Sequence, residues 1–80
     1  MVEAFVLIQT EVGRAEVLAK QLAGVDGVLS SEYVTGPYDV VVRVGADTLD
    51  ALQSAVVPRV QQVAGITRTL TCPIARRAEP

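Results

Sequence analysis

The chain has no histidine and no tryptophan, a single cysteine, a single methionine, and only two tyrosines and one phenylalanine for its aromatics. Each shortage removes a class of function. One cysteine and no histidine leave no zinc ligand set and no internal disulfide, and no metal or cofactor is expected. Cys72 also lacks the imidazole or second thiol that would activate it, so its expected role is buried packing. Seven basic residues against nine acidic ones give a net charge of −2. The basic residues are scattered, and with no stripe to neutralise adjacent phosphates, direct nucleic-acid binding is not expected. The adjacent pair Arg76-Arg77 reads as solvated tail. The dispersed glycines spell neither a phosphate loop nor a dinucleotide fingerprint. The carboxylates fall mainly in caps, turns and helix faces, with no acid–base pair, so the chain is not expected to be an enzyme.

Long apolar runs are missing too. The stretch from Val2 to Ile8 is far short of the roughly 20 residues that cross a bilayer, and no basic leader precedes it. No membrane association is expected, and one unpaired cysteine suits a reducing, cytoplasmic setting. What is abundant is aliphatic: half of the 80 residues are hydrophobic, so a Val, Leu, Ile and Ala core forms and disorder is excluded. One domain of this size is only marginally stable alone. With disulfides and zinc excluded, association with a second subunit is the remaining remedy.

Periodicity gives the elements. Val2, Ala4, Val6 and Ile8 alternate with Glu3, Phe5, Leu7 and Gln9, a strand apolar on both faces. Ala15, Leu18, Ala19 and Leu22 lie at i, i+3, i+4 and i+7, the stripe of a helix over 14–23 that Gly24 stops; Glu16 and Lys20 are spaced for an ion pair on its surface. Val28 to Thr35 reads as an edge strand, polar at Ser30, Ser31 and Glu32. Gly36-Pro37 turns the chain into a second strand from Tyr38 to Val44, making a hairpin. Asp47 is the expected N-cap of a second helix whose stripe is Leu49, Leu52 and Val56, ending or kinking near Val57 before Pro58, with a short helical continuation through Val60 and Val63 that Gly65 ends. Ile66 to Ile74 is the last strand, with Ile66, Leu70, Cys72 and Ile74 on one face, Arg68 as an exception there, and Thr67, Thr69 and Thr71 on the other. Residues 1–75 form the domain and 76–80 a flexible tail.

The order β-α-β-β-α-β predicts an α+β, ferredoxin-like sandwich, a four-stranded antiparallel sheet with both helices on one face. Phe5, Leu7 and Val41 then crowd the uncovered face, which predicts dimerisation through it. The residues placed for recognition sit in the hairpin turn. Thr35 and Asp39 flank Gly36, whose backbone a ligand could approach, and Tyr38 joins an apolar ring to a hydroxyl. Asp39 either caps the turn or accepts an ammonium. The threonines of the last strand are either β surface or the wall of a polar pocket.

Val34-Thr35-Gly36-Pro37-Tyr38-Asp39, the valine-rich strand after it and the later Gly65-Ile66-Thr67-Arg68-Thr69-Leu70-Thr71 together resemble the effector-binding domain of the Lrp/AsnC regulators over nearly the whole chain. The resemblance implies dimers joined through their sheets, higher assemblies up to tetramers of dimers (octamers), and an amino acid or similar small metabolite bound where dimers meet. It points to Thr35, Gly36, Tyr38 and Asp39, with Thr69 and Thr71 behind them, as ligand-binding residues. Pro37 at the variable position has no N–H to offer. The first strand starts at Val2 with no helix-turn-helix module before it. The chain thus resembles a stand-alone sensing domain related to transcription regulators, one able to join a full-length relative in a mixed assembly. Two other readings stay open: a small enzyme of the dimeric α/β-barrel type, monooxygenase or isomerase, and a purely structural assembly module.

Overall fold

A computed structural model describes residues 1–76 and 78. Four strands, β1 (Val2–Thr10), β2 (Val28–Tyr33), β3 (Val40–Ala46) and β4 (Ile66–Pro73), pair antiparallel in the order β2-β3-β1-β4. Helix α1 (Ala15–Ala23) follows β1, and a second helix over 49–61 follows β3. This is the expected ferredoxin-like sandwich. Arg77, and with it the pair Arg76-Arg77, lies partly outside the described residues, as does most of the expected tail.

The alternation along β1 becomes two different surfaces. Ala4, Val6 and Ile8 align with Val44, Val42 and Val40 of β3, and all six are fully buried beneath Leu22 of α1 and Leu52, Val56 and Val60 of the second helix. The odd-numbered residues make the opposite face. Across it run two rows, Glu32, Val41, Leu7 and Leu70, and Ser30, Arg43, Phe5 and Cys72. Phe5 at 41% and Leu70 at 46% exposure leave this face incompletely covered, and Cys72, expected to be buried, is exposed on it because the helices cover only the other side of β4. At its centre Arg43 Nε is buried 3.5 Å from Glu3 Oε1, without hydrogen-bond geometry.

Several local expectations are corrected. The threonines of β4 divide from Leu70 and Cys72 as anticipated, with Thr69 and Thr71 beside Ile8 and Val6 on the helix-covered face, but Ile66, expected on the side of Leu70, pairs with Thr10 beyond a register shift and packs against the core. Thr69 Oγ1 there accepts from Gln61 Nε2 at 3.1 Å. The N-cap of the second helix is Thr48, not Asp47: its Oγ1 accepts from the Ala51 N–H at 3.0 Å. Leu49, placed on the stripe by sequence, is 46% exposed, and Val57 and Val60 join Leu52 and Val56 in the core instead. Pro58 does not end that helix, and the continuation expected through Val60 and Val63 runs as far as Gln61. The chain goes from α-helical Leu49–Ala51 through π-helical Leu52–Val56 into α-helical Val57–Gln61. The wider turn lies directly before a residue that has no N–H to donate and whose ring crowds the carbonyl one turn back. The hairpin strands are shorter than expected, leaving 34–39 as their connection.

One close approach ties the helix layer to the sheet. Gly27 has φ +96°, and a Cβ there would lie 2.8 Å from both γ-carbons of Val56, so no side chain fits between this turn and the second helix.

Candidate functional site

In this strand order the end of β1 lies beside the start of β3, since Ile8 aligns with Val40. The β1–α1 loop therefore faces the β2–β3 connection across an open cleft of about 790 Å³. One wall carries Thr10, Glu11, Val12 and Gly13, with Ala15, Glu16 and Val17 of the first turn of α1; the other carries Tyr33, Val34, Thr35, Gly36 and Asp39.

The walls are tied together at Asp39. Its Oδ2 accepts from the Thr10 N–H at 2.8 Å and lies 3.4 Å from Thr10 Oγ1, while its own N–H donates to Ile8 O at 2.8 Å. Gln9 Nε2 donates to Pro37 O at 2.9 Å, and the Val34 N–H donates to Asp39 O at 2.9 Å. The connection is thus held in place before any ligand arrives. Gly36 supplies a φ of +129° with nothing within 4 Å of where its Cβ would be, so the backbone angle requires the glycine and the cleft side stays open.

The polar groups left over are of two kinds. Among the described residues, Asp39 Oδ1 accepts no hydrogen bond and Glu11 and Glu16 form no ion pair. The expected Glu16–Lys20 pair is not closed. Opposite in sign are the donors. The N–H groups of Val12, Gly13, Thr35 and Gly36 reach no acceptor among the described residues, and α1 starts at Arg14 without a side-chain cap, so the first-turn N–H groups of Glu16 and Val17 are also free. Carboxylates can take an ammonium, and uncapped helix and loop N–H groups can take an anion. Val12 is fully exposed, Tyr33 is 58% exposed and Val17 48%, an apolar lining that a ligand or a neighbouring subunit would cover.

Of the residues singled out by sequence, Thr35, Gly36 and Asp39 are brought together in this cleft. Tyr38, half-buried, does not line it, and neither do Thr69 and Thr71. Sequence reasoning passes over the other wall, from Thr10 to Val17, as a plain connection. The available signal is topological: in this fold the first βα loop must border the central hairpin connection.

The family described as the Lrp/AsnC ligand binding domain matches residues 3–79. Among solved structures, TTHA0845 from Thermus thermophilus is 35% identical, with 100% of this chain and 99% of that one covered and a TM-score of 0.84. AsnC from E. coli, 24% identical, superposes with a TM-score of 0.85 over 99% of this chain and 54% of its own. The regulator NMB0573 of Neisseria meningitidis, solved as an L-Met complex, shares the fold at 16% identity and a TM-score of 0.80, covering 99% of this chain and 53% of its own. No curated protein matches the chain.

Proposed function

This chain belongs to the Lrp/AsnC ligand binding domain family, and from that membership we propose that it senses an amino acid and couples its binding to subunit assembly. The observation that carries the reading is the two-signed cleft: Asp39 Oδ1 is free to accept an ammonium, and the loop and α1 N–H groups are free to donate to a carboxylate. An α-amino acid has both poles on adjacent atoms. The L-Met complex of a regulator with this fold supports the ligand class.

Assembly supplies the response. Two open sheet faces pack against each other to form a dimer, covering Phe5, Leu7, Val41 and Leu70, and a neighbouring dimer closes the cleft over Val12, Val17 and Tyr33. A ligand held there stabilises whichever assembly completes its surroundings. Mixed assembly with a full-length regulator follows from the shared domain, which makes up 54% of the E. coli AsnC chain. The role is binding, not catalysis, and the setting is the cytoplasm; among the described residues no helix is long and apolar enough to cross a membrane.

The test is thermal unfolding with each common amino acid in turn. Ligand at 100 times its dissociation constant stabilises the folded state by about 2.7 kcal/mol, which in a domain of this size raises Tm on the order of 10 °C. A rise with one or a few amino acids, together with a change in oligomer size, is expected. No shift with any of them overturns amino-acid sensing.

A further inference from the structure

On the uncovered face of the sheet, strand alternation sets Glu3, Arg43, Glu32 and Arg68 among the apolar rows. Glu3 and Arg43 belong to the two inner strands and stand 3.5 Å apart, so they offset each other within one chain. Glu32 and Arg68 do not. Glu32 is on β2 and Arg68 on β4, the outer strands of the order β2-β3-β1-β4, and neither side chain has a hydrogen bond or ion pair among the described residues. Both are exposed. Their levels along the sheet are close: Glu32 shares a row with Leu70, and Arg68 is two residues further along β4, about 7 Å away. The face is thus apolar across its middle, acidic at one rim and basic at the other.

We infer that a second copy of this chain seats on this face about a two-fold axis running along the strands, with Glu32 of each copy paired to Arg68 of the partner subunit. The pairing presupposes sheet-face assembly, as in the proposed function, and fixes its orientation. Two identical faces can pack aligned about a two-fold axis that runs either along the strands or across them. With the axis across, β2 lies over β2 and β4 over β4, which sets glutamate toward glutamate and arginine toward arginine. With the axis along, β2 lies over the partner's β4, and each rim meets the opposite charge. Sheets packed face to face are about 10 Å apart, a gap that a glutamate and an arginine reaching from the two rims can close. The apolar rows favour contact in either orientation, because burial has no direction. The charges decide between them. Exposed ion pairs add little affinity, but like charges brought together at the same places are strongly unfavourable, so the pair selects the partner. A copy is accepted, and a chain with the charges altered is refused.

Exchanging the charges between copies tests the pairing. Sedimentation velocity at low salt is run on the full chain, on Glu32→Arg and Arg68→Glu singly, on these two variants mixed in equal amounts, and on a chain carrying both changes. Neither position belongs to the core, and thermal melting checks that each variant folds. Each single variant sets like charges at both rims of its own dimer and is expected to dissociate at a concentration about tenfold or more above that of the parent. The mixture restores opposite charges at both rims, so dimers return with one chain of each kind. The doubly changed chain associates with itself as the parent does, and not with the parent. Salt near 1 M narrows these differences, since the screening length falls to about 3 Å. Single variants that associate as tightly as the parent, a mixture that stays monomeric, or a doubly changed chain that fails to associate overturn the pairing and leave sheet-face assembly standing. A parent that is itself monomeric at every concentration overturns both.

Discussion

Asp39 shows how one side chain can be both scaffold and site. By sequence it is open between capping the turn and meeting an ammonium, and the structure assigns one oxygen to the first task. Oδ2 accepts from the Thr10 N–H, a partner 29 positions away. Asp39→Ala leaves that part-buried N–H unpaired and should cost about 1 to 3 kcal/mol in urea unfolding. Asp39→Asn keeps an acceptor oxygen and should stay within about 0.5 kcal/mol of the parent, yet lose ligand affinity with the charge. Equal destabilisation by both would mean that the charge itself holds the loop. The Thr35-Gly36-Pro37-Tyr38-Asp39 turn was legible because its residue types have local causes: a positive φ at Gly36 and a fixed one at Pro37. Thr10 was not legible, because nothing local marks a backbone N–H that will find a carboxylate on a distant loop.

At the scale of the element, periodicity located the helices and erred at their ends. The stripe through Leu18, Ala19 and Leu22 is buried, in keeping with its spacing. The N-cap expected at Asp47 falls one residue later, since Asp47 and Thr48 are both good N-caps by type. Only the observed hydrogen bond to the Ala51 N–H separates them. Thr48→Ala should therefore lower stability by about 1 kcal/mol, whereas Asp47→Ala should change it by less than about 0.5 kcal/mol, as read from paired thermal melts. Pro58 was correctly taken as a disturbance. How it would be absorbed was undetermined, because a break, a kink and a π-turn all relieve the same missing donor, and the choice here keeps Leu52, Val56, Val57 and Val60 on the core.

At the scale of the whole molecule, the uncovered sheet face makes the clearest demand. The row Val41, Leu7, Leu70 crosses three strands on the side away from both helices. Leu70→Glu places a charge in that row without touching the core. Light scattering is expected to show the parent as a dimer or larger and the variant shifted toward monomer, with the concentration dependence of its Tm reduced. A parent that stays monomeric at high concentration would remove sheet-face assembly. Burial itself supports the expectation: a chain this short gains stability from covering apolar surface that its own two helices cannot reach.

Composition and periodicity by themselves determined the fold class, the strand and helix order, the core face of β1 and β3, and the hairpin turn with Thr35, Gly36 and Asp39. These follow from forces acting over a few residues, in which period, turn chemistry and apolar content agree. Tertiary structure alone decided that Thr69 and Thr71 face the helices and that Tyr38 stays out of the cleft. It also decided that the loop from Thr10 to Val17 forms the second wall. The reason is physical. Which side of an edge strand is covered, and which loops meet across a gap, depend on how separate elements are brought together by burial, and that information belongs to no single stretch of chain.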